Sequence, residues 1–243
     1  MRTLRWLWLL ALALSVSGCI KVDQTLTLED DGSGTLDIRY GMSEQTISQL
    51  ETMEQMGQAM GDNAGTDLGM DTETPFDFDF DEEDVRERFE SEPIKGVELV
   101  STNAETIDGW RYMNLKVRFD SLAALAKTDL FEDSEISLTR DAEGHYVLRQ
   151  RSGDAEPMPS DDSAEDPMQT QMMQQMAAMF AGMRIANRVS VPTEIIETNA
   201  TEVEGRTASW VFDIDEEPSV LSKLEHLDMR VVFSSTGASI DEL

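Results

Sequence analysis

The stretch IKVDQTLTLEDDGSGTLDIRY, residues 20–40, decides the fold. Ile20, Val22, Leu26 and Leu28 alternate with Lys21, Asp23, Thr25, Thr27 and Glu29, so an extended segment here has one apolar and one wet face. Residues 30–34, DDGSG, then supply turn positions tolerant of positive φ, and Leu36, Ile38 and Tyr40 resume the alternation. The pattern is a β-hairpin with one buried side.

The same texture recurs downstream. Residues 96–120, GVELVSTNAETIDGWRYMNLKVRFD, predict a second hairpin turning at Asp108-Gly109, with Met113, Leu115, Val117 and Phe119 on one face. A third, residues 135–151, turns at Glu143-Gly144. Strand texture returns in residues 184–192, 194–215 and 229–235. Between the strands lie helical periods. Ser43 is a suitable N-cap for Ile47, Leu50, Met53, Met56 and Met60, Val85 and Phe89 mark a short helix, and Ser121 caps residues 122–131. Asp166-Pro167 has the form of an N-cap and first helical residue for a methionine-rich helix over 168–183, and another short helix falls near 219–227. The expectation is an α+β domain over residues 19–237: an antiparallel sheet of about eight strands, in hairpins, packed with several helices. Acidic segments with glycine or proline at about 61–81 and 152–167 read as flexible insertions, and residues 238–243 as a polar tail.

Ahead of the first strand, Arg2 and Arg5 precede an apolar run from Trp6 to Leu14, and Ser15, Ser17 and Gly18 close it. Charge, apolar run and small residues form an export signal, too short for the roughly 20 apolar residues of a membrane span. Val16-Ser17-Gly18-Cys19 resembles a bacterial lipobox, which implies removal of residues 1–18 and a lipid on the sulfur of Cys19. Each buried methylene of such a lipid is worth about 0.8 kcal/mol, and two or more chains give stable anchoring. Cys19 is the single cysteine of the 243 residues, so the core must hold without an intramolecular disulfide. Strand texture starts at Ile20, leaving almost no tether between the lipid and the domain. Ile20 stands where enteric sorting rules place an aspartate for inner-membrane retention, which favours the outer membrane.

The charge excludes one class of partner. The chain carries 19 Lys+Arg against 49 Asp+Glu; without Arg2 and Arg5 the balance is 17 against 49, or −32. Such a chain repels nucleic acid and anionic lipid headgroups, so it is expected to stand off the membrane surface except at its lipid.

Met172, Met176, Met179 and Met183 fall at i, i+4, i+7 and i+11 with Phe180 alongside, one stripe of a helix. Three readings stand: core or helix packing, a pliable groove for acyl chains or a partner helix, and soft thioether ligation of Cu(I), which lacks nearby His or Cys. The acid runs contain no ordered calcium-loop pattern and read as solvated. For catalysis there are only His145 and His226, with no nucleophile elbow, phosphate loop or metallopeptidase signature, so an enzyme is not expected and no cofactor or metal is called for.

Pro192-Thr-Glu-Ile-Ile-Glu-Thr-Asn199, then Val203, Gly205 and Trp210-Val-Phe-Asp213, together with Cys19-Ile-Lys-Val-Asp and the Asp31-Gly32 turn, is similar to the LppM-like family of bacterial envelope lipoproteins. The resemblance covers the two ends of the mature chain. It implies an α+β domain with a cavity suited to an amphiphile and no established catalysis; the family supplies no binding motif to transfer residue by residue. The expected function is that of a lipid-anchored, non-catalytic envelope module that binds a lipid or another amphiphile. The alternative is an assembly subunit docking on another envelope protein through its Met-rich helix.

Overall fold

The computed structural model describes residues 20–48, 52, 80–131, 134–152, 182–217, 220, 224 and 227–243. The opening hairpin is its centre. Strand β1 (Ile20–Leu28) pairs antiparallel with β2 (Gly34–Ser43), Ile20 opposite Met42 and Leu28 opposite Gly34. The turn between them is held by Asp31, whose carboxylate accepts from the Ser33 N–H at 3.0 Å and from its hydroxyl at 2.6 Å. Gly34 is required for close approach: a Cβ there would sit 2.0 Å from the Thr27 carbonyl oxygen and 2.6 Å from the Phe119 ring.

Helix α1 (Glu82–Ser91) follows, its N-terminus capped by Asp81, whose side chain accepts from the Glu83 N–H. Strands β3 (Val97–Ile107) and β4 (Trp110–Phe119) form the second hairpin as the sequence predicts. Asp108 and Gly109 at its tip have φ 52 and 75, the left-handed pair of a two-residue type I′ turn. A bulge between Leu99 and Ser101 turns Val100 out to solvent, and the Ala104 N–H on this strand donates to Glu82 of α1 at 2.7 Å. That contact satisfies an amide at the free edge of the sheet.

Ser121 caps the short helix α2 (Leu122–Leu125), a 3-10 turn covers Asp129–Phe131, and β5 (Ser134–Arg140) and β6 (Tyr146–Ser152) make the third hairpin. Strands β7 (Arg184–Ser190), β8 (Ile195–Thr198), β9 (Glu202–Glu204), β10 (Thr207–Asp213) and β11 (Asp228–Phe233) complete the order.

The strands form two sheets where the sequence suggested one of about eight strands: a seven-stranded sheet ordered β3-β4-β2-β1-β7-β10-β9 and a four-stranded sheet ordered β5-β6-β11-β8. Antiparallel hairpins dominate, but β1 and β7 run parallel, with Gln24 beside Asn187 and Leu26 beside Val189. The hairpin pattern reveals local pairs only; which sheet each joins depends on long-range contacts, and β8 leaves its neighbours to pair with β11. Helices among the described residues are short, so the architecture is mainly β with helical additions, plus residues 44–48 in helical conformation after β2.

A core of Leu26, Leu28, Leu36, Val117 and Phe119 from the large sheet meets Leu138, Tyr146, Leu148, Val231 and Phe233 from the small one. Fully burying one such side chain contributes about 1.5–3 kcal/mol. The last residues, read as a polar tail, are part of this packing. Ile240 is 7 % exposed. Its backbone N–H donates to the buried Tyr146 hydroxyl at 2.8 Å, and Leu138 and Leu243 exchange backbone hydrogen bonds at 3.2 and 2.8 Å, extending the sheet beyond β5.

The outer face of the large sheet carries a ladder of ion pairs. Lys116 meets Asp37 at 2.9 Å, Arg39 meets Glu105 at 3.2 Å, Arg188 and Arg184 both approach Asp23, and Arg118 pairs with Glu98.

Candidate functional site

Strand length creates the site. Strands β1 to β4 have 9 to 11 residues and span about 30 Å, whereas β5, β6 and β11 have 6 or 7 and span about 20 Å. The small sheet therefore covers the half of the large sheet that holds Leu28, Leu36 and Phe119. Among the described residues, the inner face of the other half is packed by α1, by Ile214, Val220 and Leu224, and by Ile47 and Phe80.

Among the described residues a groove of about 1690 Å³ is left. Its floor is the inner face of the large sheet: Val22, Ile38, Leu115 and Ile185. Phe89 of α1 and Leu99 of β3 form one wall, and Leu224 and Leu227 stand on the far side. The helix takes this position because Val85, buried at 5 % exposure, packs against Met113 and Leu115, while Glu82, Glu83 and Asp84 in its first turn suit the positive end of the helix dipole. The volume exceeds the ~300–1,000 Å³ of sites for compact small molecules.

Three amides interrupt the apolar lining. Gln24 and Asn187 are register partners on β1 and β7, both inward-facing, and Gln150 of β6 lines the same groove and donates to the Ser134 hydroxyl at 3.3 Å. Charges of both signs, including Arg86, Lys127, Glu92 and Asp129, sit along the rim. Apolar floor, a local cluster of hydrogen-bonding amides and a charged rim together suit a molecule with a long apolar part and a polar group.

A second, much smaller cavity of about 180 Å³ lies on the outer face of the small sheet, lined by Arg149, Arg151 and Arg230 among others. Its cations are answered locally. Arg149 grips Asp228 through two bonds of 2.6 and 2.5 Å, and Arg230 reaches Glu197 at 2.7 Å. The hydrogen bonds from Arg149, aided by the charges of Arg151 and Arg230, hold the Asp228 carboxyl below its ordinary value, and Arg149 is raised in turn. This is a structural ion-pair network.

Of the residues singled out in the sequence, Met183 lies in the core at 2 % exposure, packed with Ile20, Met42, Ile185, Ile214 and Val220. Met172, Met176, Met179 and Phe180 lie outside the described residues, as do Cys19 and His226. The structure places His145 in the β5–β6 turn, 3.2 Å from Asp141. Among the described residues no group of three or more His, Cys, Asp or Glu is arranged to hold a metal, and no helix is long and apolar enough to cross a membrane.

The groove residues were hidden in plain alternation: Val22, Ile38, Leu115 and Ile185 read as ordinary core. The signal was the exception to the pattern. Gln24 breaks the run Ile20-Val22-Leu26-Leu28, and Asn187 breaks Ile185-Val189, at positions where a fully packed face would be apolar.

With this geometry the chain has a distant likeness among solved structures. It is similar to the NMR structure of the folded domain of the LppM protein of Mycobacterium tuberculosis, with a TM-score of 0.39 and 12% identity over 91% of this chain and 93% of that one. Similarity at that level is one of fold outline and fixes neither family nor ligand. No family model and no curated protein matches the chain.

Proposed function

We propose that the protein is a lipid-anchored component of the bacterial cell envelope, held by a lipid on Cys19, and that it binds an amphiphile, without catalysis, in the groove on the inner face of its large sheet. The single observation that carries the binding half is the pair Gln24–Asn187 set in the otherwise apolar floor of that groove. Gln24 is part-buried, Asn187 is 9 % exposed, and no buried side-chain polar atom among the described residues lacks a partner, so these amides keep access to the groove, where the polar group of a guest could take the place of water. The apolar floor takes the chain of the guest; the amides take its polar group.

The anchoring half is supported by the order of signal, small residues and Cys19 directly before β1. Ile20 following that cysteine favours the outer membrane. Ile20 opens β1, and that strand reaches the groove at Val22 and Gln24, two and four residues further on. An amphiphile leaving the bilayer then has a short path to the floor.

Purification of the full-length gene product in mild detergent, followed by intact mass and lipid extraction, tests both halves. A lipidated Cys19 with residues 1–18 removed, and an amphiphile in near one-to-one ratio, is the expected result. An unmodified thiol refutes the anchor. A groove empty of lipid, in a protein that co-purifies with another envelope protein, refutes the carrier reading and favours the assembly subunit.

A further inference from the structure

The end of the large sheet that begins at Ile20 carries an unusual outer corner. Trp110 and Tyr112, both on the outer face of β4, stack with ring centroids 6.0 Å apart. The Tyr112 ring lies across Gly41, whose missing side chain makes the space: a Cβ there would meet the ring at 2.3 Å. The Lys21 ammonium sits 4.1 Å from the centre of the Trp110 ring, and the Arg39 guanidinium 4.2 Å from that of Tyr112. Ile107, opposite Trp110 in the hairpin register, is 44% exposed. Four side chains of β1, β2 and β4 thus form one cation–aromatic row, with an exposed isoleucine at its edge.

We propose that this corner rests in the headgroup layer of the same membrane that holds the Cys19 lipid, so that the lipidated domain is oriented on the bilayer rather than swivelling above it. The inference depends on the anchoring reading given above and adds a surface to it. Three observations favour a bilayer as the occupant. Lys21 is two residues from Cys19, at most about 7 Å along the chain, and Trp110, on β4, lies two strands of about 4.8 Å each from β1, so the corner is on the order of 10 Å from the attachment point. Trp and Tyr with flanking Lys and Arg are the side chains that favour the membrane–water boundary, where an apolar ring body and a polar tip are both satisfied. Charge decides the facing: the chain as a whole carries −30, which an anionic surface repels, but the ion-pair ladder across this outer face offsets its carboxylates with Lys and Arg. The corner is too small to hold a protein on a membrane by itself. It sets orientation after the lipid has inserted.

The chain contains four tryptophans, Trp6 and Trp8 in the segment expected to be removed, Trp110 at the corner, and Trp210 in the core at 4 % exposure. That makes fluorescence decisive. The mature lipoprotein, reconstituted by detergent removal into phosphatidylethanolamine–phosphatidylglycerol vesicles, is floated on a density gradient and its emission compared with and without phosphatidylcholine brominated along its acyl chains. The expected result is flotation, with strong quenching by the brominated lipid that Trp110→Phe abolishes and with protection of Trp110 from aqueous acrylamide. Flotation with Trp110 unquenched and open to acrylamide overturns the orientation while leaving the anchor intact. Trp110 shielded from acrylamide but silent to brominated lipid, in a dimeric species, means that a second copy covers the corner and equally overturns it. Failure to float overturns the anchor and the orientation built on it.

Discussion

Replacing Tyr146 by Phe probes the docking of the C-terminal residues more sharply than any truncation, because it removes one oxygen and leaves the volume. The Tyr146 side chain is fully buried, and its ring stacks on Phe233 with centroids 5.3 Å apart, contacts that Phe retains. Its hydroxyl donates to the Ile240 carbonyl at 3.1 Å, accepts from the Ile240 N–H at 2.8 Å, and accepts from Arg140 at 2.6 Å. Without it, both backbone groups of a buried residue lose their partner, at about 1–3 kcal/mol for each group left unsatisfied. The sum is capped, because residues 238–243 can undock and let water in. Undocking forfeits the burial of Ile240, worth about 1.5–3 kcal/mol. The expected loss is therefore about 2–3 kcal/mol, read in a urea titration, or a fall in Tm of about 4–12 °C for a domain of this size. Hydrogen exchange distinguishes the mechanism: the Leu138 and Leu243 amides, which pair with each other's carbonyls, should lose protection while the Leu26 and Val117 amides keep theirs. An unchanged Tm with Leu243 still protected refutes the claim that this hydroxyl pins the terminus.

Four further outcomes follow from the same structure. Asn187→Leu should stabilise the purified protein by up to about 1 kcal/mol, since an amide in an apolar floor is replaced by a hydrocarbon, while lowering the bound amphiphile found by mass spectrometry; unchanged lipid occupancy would count against the groove. Cys19→Ser should yield an unlipidated product that keeps residues 1–18, visible as a heavier polypeptide by intact mass once lipid is accounted for. Gly34→Ala should cost about 1–3 kcal/mol or more by overpacking, because the added methyl meets the Thr27 carbonyl and the Phe119 ring, and a mild effect would mean the hairpin register is wrong. Asp228→Asn should cost no more than about 1 kcal/mol at neutral pH, the pair with Arg149 being partly exposed and screened. Since the folded carboxyl is held below its ordinary value of 3.8, its contribution is present above that pH and disappears as pH falls through the lowered value, so wild type and variant should converge in acid.

Local chemistry made the hairpins legible and long-range pairing did not. The turns at Asp31-Gly32, Asp108-Gly109 and Glu143-Gly144 could be placed from residue type because positive φ at Gly32, Gly109 and Gly144 leaves few alternatives. The cap at Ser121 was equally readable from its place before an apolar turn, whereas the Asp81 cap stands in an acidic run where any of several residues could serve. The parallel pairing of β1 with β7 joins residues 163 positions apart, Lys21 with Arg184, and no periodicity encodes it. Nor does periodicity tell a strand face that meets another sheet from one that borders an open groove: Leu36 and Ile38 are consecutive inward residues of β2, yet the first is fully buried against the small sheet and the second is at the groove floor. Residues 238–243 were misjudged for a related reason. Their composition is polar, but one isoleucine over Gly32 and one tyrosine hydroxyl are enough to dock them.

The mismatch in strand length divides the molecule by consequence. At the Leu28 end, two inner faces interdigitate and every apolar side chain has a neighbour, so substitutions there should register as lost stability. Toward the Ile20 end the same strands continue past the small sheet; among the described residues Ile20, Met42, Met183, Ile185, Ile214 and Val220 form a separate buried cluster there, while α1 packs on Met113 and Leu115. Gln24 and Asn187 stand between these two packed regions, beside a groove that the described residues leave uncovered, so substitutions there should alter the proposed binding before they alter stability.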